Sequence, residues 1–192
     1  MDVIKTFAPD LETDLRSLPE EKESDVKYHP KEYFTSEFQA EIDNLYMEIL
    51  SECCFDPTPT TARFNISYFD VEIDGHKKTN YQRLGYCAFI NTVTSLVFRR
   101  YFSEKAKFDP GFLIVDTPLI GLDQGVEDAA PESMRTGLFR YIMKQKDVGQ
   151  IIILENLIHI PDLDYESEGV NLITFTKGYS EGRYGFLNDV VS

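Results

Sequence analysis

At 192 residues, with 42% hydrophobic and 13% aromatic side chains, the chain is long enough to bury one domain-sized core. Its formal charge of −14 argues against an extensive phosphate-binding surface, and no apolar run approaches the length of a membrane span. The acidic N-terminus lacks the basic-then-apolar order of a signal peptide, so a cytoplasmic protein with no membrane association is expected. Cys53, Cys54 and Cys87 are odd in number and form no C-x-x-C pair, which points to reduced thiols and away from a disulfide framework or a zinc site.

Residues 1–30 are rich in Asp, Glu, Pro and Ser and weak in apolar periodicity, and they read as an acidic, loosely attached arm. Phe34, Phe38, Ile42, Leu45 and Ile49 then recur at helical spacing, predicting a helix over about 32–53. Its apolar face would pack on the domain or form the root of a coiled coil. Pro57 and Pro59 follow, and the β-branched and aromatic run 62–73, with Phe64, Ile66, Tyr68, Val71 and Ile73, reads as strand before the Asp74-Gly75 turn. A polar segment, 76–83, precedes a long helix over about 84–105 with apolar positions Phe89, Val93, Leu96, Val97 and Tyr101. Arg99, Arg100, Lys105 and Lys107 form either a local basic patch or the solvated end of that helix.

The run Phe112-Leu113-Ile114-Val115-Asp116 has strand length and ends on a carboxylate. An unbroken apolar run predicts burial on both faces, as in a parallel sheet. Pro118 biases Thr117 toward extended backbone and ends the strand. Asp116 is therefore expected at the carboxyl end of a central strand, where open α/β sheets hold ligands. A helix with Pro131 in its first turn and Gly149 closing it leads to a second buried strand, 150–156, ending on Glu155-Asn156. Residues 170–176 are a further strand candidate, and the Gly-rich stretch 178–188 reads as a hairpin. The order implies an α/β domain with a largely parallel central sheet flanked by helices.

Gly85-Tyr86-Cys87-Ala88-Phe89-Ile90-Asn91-Thr92 before Asp116-Thr117-Pro118, within this order of elements, resembles the C-terminal lobe of the SMC/RecN/SbcC-type ABC ATPases, in particular bacterial SMC-like proteins. The resemblance covers residues of about 60–177. It implies a division into an arm (1–30), a helix at a coiled-coil root (31–56) and an ATPase lobe (57–192) carrying signature motif, Walker B, D-loop and switch strand. No Walker A sequence, G-x-x-x-x-G-K-[ST], occurs in the chain. The family reading therefore requires a Walker A-bearing N-terminal lobe in cis or in trans, a head-to-head dimer, and contact with DNA through the complete assembly.

The resemblance also implies roles. Asp116 would hold Mg²⁺ on the phosphates of ATP. Leu122-Asp123 takes the place of the D-loop. Thr79-Asn80-Tyr81-Gln82-Arg83-Leu84-Gly85 takes that of the signature motif, with Thr79, Asn80, Gln82 and Gly85 as nucleotide-binding positions; a plain N-cap by Thr79 or Asn80 is the alternative. The family's catalytic Glu after the Walker B Asp is Thr117 here, whose hydroxyl orients water but is no base near neutral pH. Glu155 would then activate water, or else only hydrogen-bond the neighbouring loop. His159 reads as a loop histidine. Two other functions stay open: a toprim-like metal-dependent nuclease using Asp116, Asp123 and Glu155, and a non-catalytic interaction module with the lobe fold.

Overall fold

The computed structural model describes residues 33–80, 84–121, 131–176 and 183–184. The expected arm 1–30, Gln82, Asp123 and most of the expected hairpin 178–188 lie outside them. The described residues from Phe34 onward belong to one compact unit of mixed α/β structure, with a three-stranded antiparallel sheet, two two-stranded parallel sheets and three α-helices.

Helix α1 (Ser36–Glu52) starts where Thr35 accepts the Phe38 N–H on its hydroxyl at 3.2 Å, an N-cap that satisfies one orphan donor. Its apolar stripe is used within the domain: Phe38, Ile42, Leu45, Tyr46, Ile49 and Leu50 are buried. Strands β1 (Ala62–Asn65) and β2 (Asp70–Ile73) pair antiparallel, Ala62 opposite Ile73. Ile66 and Tyr68, expected in a continuous strand, instead belong to the turn between them, where Phe69 takes φ +58°. Asp74 and Gly75, both at positive φ, turn the chain into β3 (His76–Lys77). Asp74 Oδ1 accepts from the Thr60 hydroxyl at 2.6 Å and from the Thr60 and Thr61 amides, and these bonds, the Thr60 hydroxyl first, hold its carboxyl below the usual range.

Helix α2 (Leu84–Lys105) runs antiparallel to α1, as its ion pairs show: Arg100 meets Glu48 at 2.6 Å and Lys105 meets Glu41 at 2.9 Å. Such exposed pairs contribute only tenths of a kcal/mol, so the packing of Phe89, Ile90, Val93, Leu96 and Val97 against α1 holds the two together. Helix α3 (Glu132–Lys144) begins after Pro131, which stands at the N-cap rather than within the first turn. It ends at Lys144, so Gly149 is not its cap. At φ +66°, Gly149 turns the chain into the next strand, and a side chain there would run into the Gly111 carbonyl. Gly137 lets α3 approach the end of α1, since a Cβ would lie 2.6 Å from the Cys53 carbonyl oxygen.

Strands β4 (Phe112–Asp116) and β5 (Gln150–Leu154) pair in parallel, Asp116 opposite Leu154. Leu113, Val115, Ile151 and Ile153 turn inward against the helices. Phe112 (56% exposed), Ile114 (55%), Ile152 (40%) and Leu154 (41%) form an open apolar face. The expected burial on both faces is therefore not met among the described residues: the helices supply a cover on one side only. Of the expected strand 170–176 only β6 (Phe175–Thr176) forms, and it pairs in parallel with β7 (Arg183–Tyr184).

Gly137→Ala should lower the stability measured by denaturant by about 1–3 kcal/mol, because backbone rather than a flexible side chain must yield. The Asp74 carboxyl has a lowered folded-state value, so its stabilisation is complete above the unfolded value of about 3.9 and is lost as pH falls through the folded one. Asp74→Asn should flatten the dependence of the denaturation midpoint on pH over that acidic window.

Candidate functional site

The parallel pairing of β4 and β5 sends both carboxyl ends to one end of the sheet, so the turn after Asp116 and the turn after Leu154 meet there. Asp116 is exposed, on the same face as Ile114 and Leu154. Beside it a cleft of about 260 Å³ is lined by Asn91, Thr92 and Ser95 of α2 and by Ile114, Asp116 and Thr117. Val115, on the other face of β4, also lines it. The two segments that carry the family resemblance, the Ala88–Thr92 turn of α2 and the Asp116-Thr117-Pro118 turn, thus face each other.

Thr117 departs from the expected extended backbone. It takes φ +49°, in the left-handed region, although it is β-branched and precedes proline. Its amide donates to the Leu154 carbonyl at 2.8 Å and its carbonyl accepts from Ile120 at 3.2 Å. Pro118 and Leu119 turn inward, Leu119 to full burial in the core. Burying that leucine is worth about 1.5–3 kcal/mol, enough to offset a left-handed residue at about 1–2 kcal/mol. The strain thus persists because the core claims Leu119.

Glu155 follows β5, and the alternation that turns Leu154 to the open face turns Glu155 toward the core. Its side chain is 1% exposed. Oε2 accepts the Leu119 N–H at 2.9 Å, and Oε1 accepts the Asn156 N–H at 2.7 Å and meets His159 Nδ1 at 3.0 Å. A carboxylate is acceptor only, so that contact places the imidazole proton on Nδ1. The strands are adjacent and parallel as expected, yet Glu155 is turned away from Asp116 and its oxygens are engaged. In this arrangement it bonds the neighbouring loop through Leu119, Asn156 and His159. By strand alternation Asp116 and Glu155 fall on opposite faces of the β4–β5 pair. Among the described residues no group of three His, Cys, Asp or Glu side chains is placed to hold a metal ion.

Thr79 and Asn80 stand exposed in a 3₁₀ turn, Lys78–Asn80, before α2. The described part of the helix begins at Leu84, and residues 81–83, where its N-cap would be read, lie outside the described residues. Gly85 is buried in the first turn. Lys78 Nζ bridges Asn91 Oδ1 at 2.7 Å and Asp70 Oδ2 at 2.7 Å, fixing this turn against α2 and β2. The basic residues of α2 form no free patch: Arg99 is buried, Arg100 is paired with Glu48 and Glu104, and Lys105 with Glu41.

Sequence reasoning did not single out Leu119, Lys78 or Arg135. Arg135, on the first turn of α3, donates to the His159 carbonyl at 2.7 Å and pairs with Glu132 at 3.3 Å. Nothing in the sequence pattern marks it, because a lone arginine on a polar helix face looks like any other. Cys53 is buried, Cys54 exposed and Cys87 between the two, and none of the three is in a disulfide. No helix among the described residues is long and apolar enough to cross a membrane. The chain matches no family model and no curated protein.

Thr117→Asn removes the β-branch and supplies a residue that accepts the left-handed region, and it should raise the thermal midpoint by a few degrees, at about 2–4 °C per kcal/mol for a chain of this size. Calorimetry of the two chains checks it.

Proposed function

We propose that this chain is the C-terminal half of an SMC-like ABC ATPase head, which completes a Mg-ATP site only with a Walker A-bearing lobe. The observation that carries the reading is the open face of the parallel sheet. Phe112, Ile114, Ile152 and Leu154 are exposed beside Asp116, whereas parallel sheets are covered on both faces. A lobe that covers this face would supply the phosphate cradle that the sequence lacks. Asp116, exposed at the strand's carboxyl end, would orient water on the Mg²⁺ that bridges the nucleotide phosphates.

In this reading the segment 79–85 presents the N-terminal end of a 22-residue helix to the γ-phosphate held by a second head. ATP would close the head-to-head dimer and hydrolysis would open it, a cycle suited to DNA maintenance or defence. With its charge of −14 and with Arg100 and Lys105 paired, this chain would meet DNA only through the complete assembly.

A second reading, an interaction module that binds nucleotide without turnover, draws on the engaged state of Glu155 and on Thr117 in the place of a catalytic glutamate. Mixing this chain with its cognate Walker A lobe should create Mg²⁺-dependent ATP binding, measured by titration calorimetry with and without a chelator. Asp116→Ala should abolish it, and unchanged binding in that variant would overturn the proposal. Ile114→Glu should block association of the lobes while the isolated chain stays folded. Binding without phosphate release by the wild-type complex would select the second reading.

A further inference from the structure

The turn 155–159 is internally braced. The His159 amide donates to the Asn156 carbonyl at 2.9 Å, and Asn156 Oδ1 accepts the Ile158 amide at 3.3 Å. From this turn two arms reach in different directions. One is the Glu155 carboxylate, which holds the amide of Leu119, three residues after Asp116. The other is the backbone, whose His159 carbonyl accepts from Arg135 at 2.7 Å, with the Ile158 carbonyl more distant at 3.4 Å. Arg135 lies in the first turn of α3 and is steadied there by Glu132. Leu119 and Arg135 therefore flank the connection between β4 and α3 on its two sides, and both are anchored to the same turn. His159 joins the arms, since its ring meets Glu155 Oε1 and its carbonyl meets Arg135.

We propose that Glu155, His159 and Arg135 form a clasp that positions the Asp116 turn relative to the start of α3, so that the two flanks of the connection move together. Glu155 is a positioning residue here: it acts through Leu119 and through the strained Thr117 backbone, not on water. A buried carboxylate with two amide donors and an imidazole is stable only while those partners stay in place. Release of Leu119 therefore leaves a carboxylate lone pair unpaired in the core, and the turn resists local opening. Loss of the Arg135 anchor removes the support that α3 gives the His159 carbonyl, and through it loosens the ring that completes the carboxylate's set of partners. The clasp is a property of this chain alone; the consequence that it sets where Asp116 would hold a metal rests on the function proposed above.

Amide hydrogen exchange on the isolated chain, followed by NMR, tests the clasp without nucleotide or a second lobe, so its failure is separable from failure of the ATPase reading. Glu155→Gln keeps the shape but replaces one acceptor oxygen by a donor, and it should speed exchange at Leu119 or Asn156 by about tenfold or more while the core amide of Val93 is unchanged. Arg135→Met touches neither Leu119 nor Glu155, yet it should also speed exchange at Leu119 several-fold, and Arg135→Lys should restore most of the protection. In the double variant, exchange at Leu119 should be no faster than in Glu155→Gln alone, as coupled sites require. If Glu155→Gln does not fold, the Arg135 pair reads the same coupling. Unchanged exchange at Leu119 in Arg135→Met, with changes confined to residues 158–160, would overturn the proposal.

Discussion

The in-register parallel pairing of β4 with β5 governs most of what is distinctive here. Parallel strands bring their carboxyl ends to the same place, and with Asp116 opposite Leu154 the turns after both strands lie side by side. The two-residue alternation of a strand then assigns each side chain to a face. Asp116 falls on the open face with Ile114 and Leu154, and Glu155 falls toward the core. A register shift of one residue would exchange these assignments and send Leu113, Val115, Ile151 and Ile153 out of the core. The close approach of Gly149 to the Gly111 carbonyl sets the start of the pair, because the backbones meet where no side chain fits.

The chemistry at the carboxyl end of the pair follows from what the core demands. Leu119 must be buried, and the chain reaches it within three residues of Asp116 only by placing Thr117 in the left-handed region before a proline. The cost is local and the compensation is distributed over the buried leucine, the bond to the Leu154 carbonyl and the Glu155 carboxylate that receives the Leu119 amide. A carboxylate so engaged stabilises a loop geometry. That assignment leaves Thr117 and Asp116 as the polar groups of the turn that face the cleft beside α2.

The surface carries a second message. Ion pairs tie Arg100 and Lys105 of α2 to α1, and Arg99 is buried, so these three cations form no open patch. The apolar residues that the sequence assigns to a fully buried strand are divided between a packed face and an open one. The open apolar face of the parallel pair and the net negative charge are therefore the two main features of this surface among the described residues.

Much of the fold was legible along the chain. The 3.6-residue spacing of Phe38, Ile42, Leu45 and Ile49 marked α1 to within a few residues, and the long apolar-periodic segment marked the ends of α2, because a helix face is a local property of spacing. The strand ending on Asp116 was marked the same way, by a run of apolar residues stopped by Pro118. Other features were out of reach. The run 62–73 looked continuous because β-propensity does not show where a strand folds back on itself, and Ile66 and Tyr68 went to the turn. Thr117 was assigned extended backbone from the local effect of proline, which the burial of Leu119 overrides. Whether Glu155 faces Asp116 or the core depends on register, and the partnership of Glu155, His159 and Arg135 depends on where the start of α3 lies. The sequence by itself determined the helices α1 and α2, the strands β4 and β5 and the acidic residue that ends β4, since these follow from interactions between near neighbours. Only the tertiary structure decided which face of the sheet is covered and which carboxylate is free, since both depend on segments far apart in sequence competing for one core.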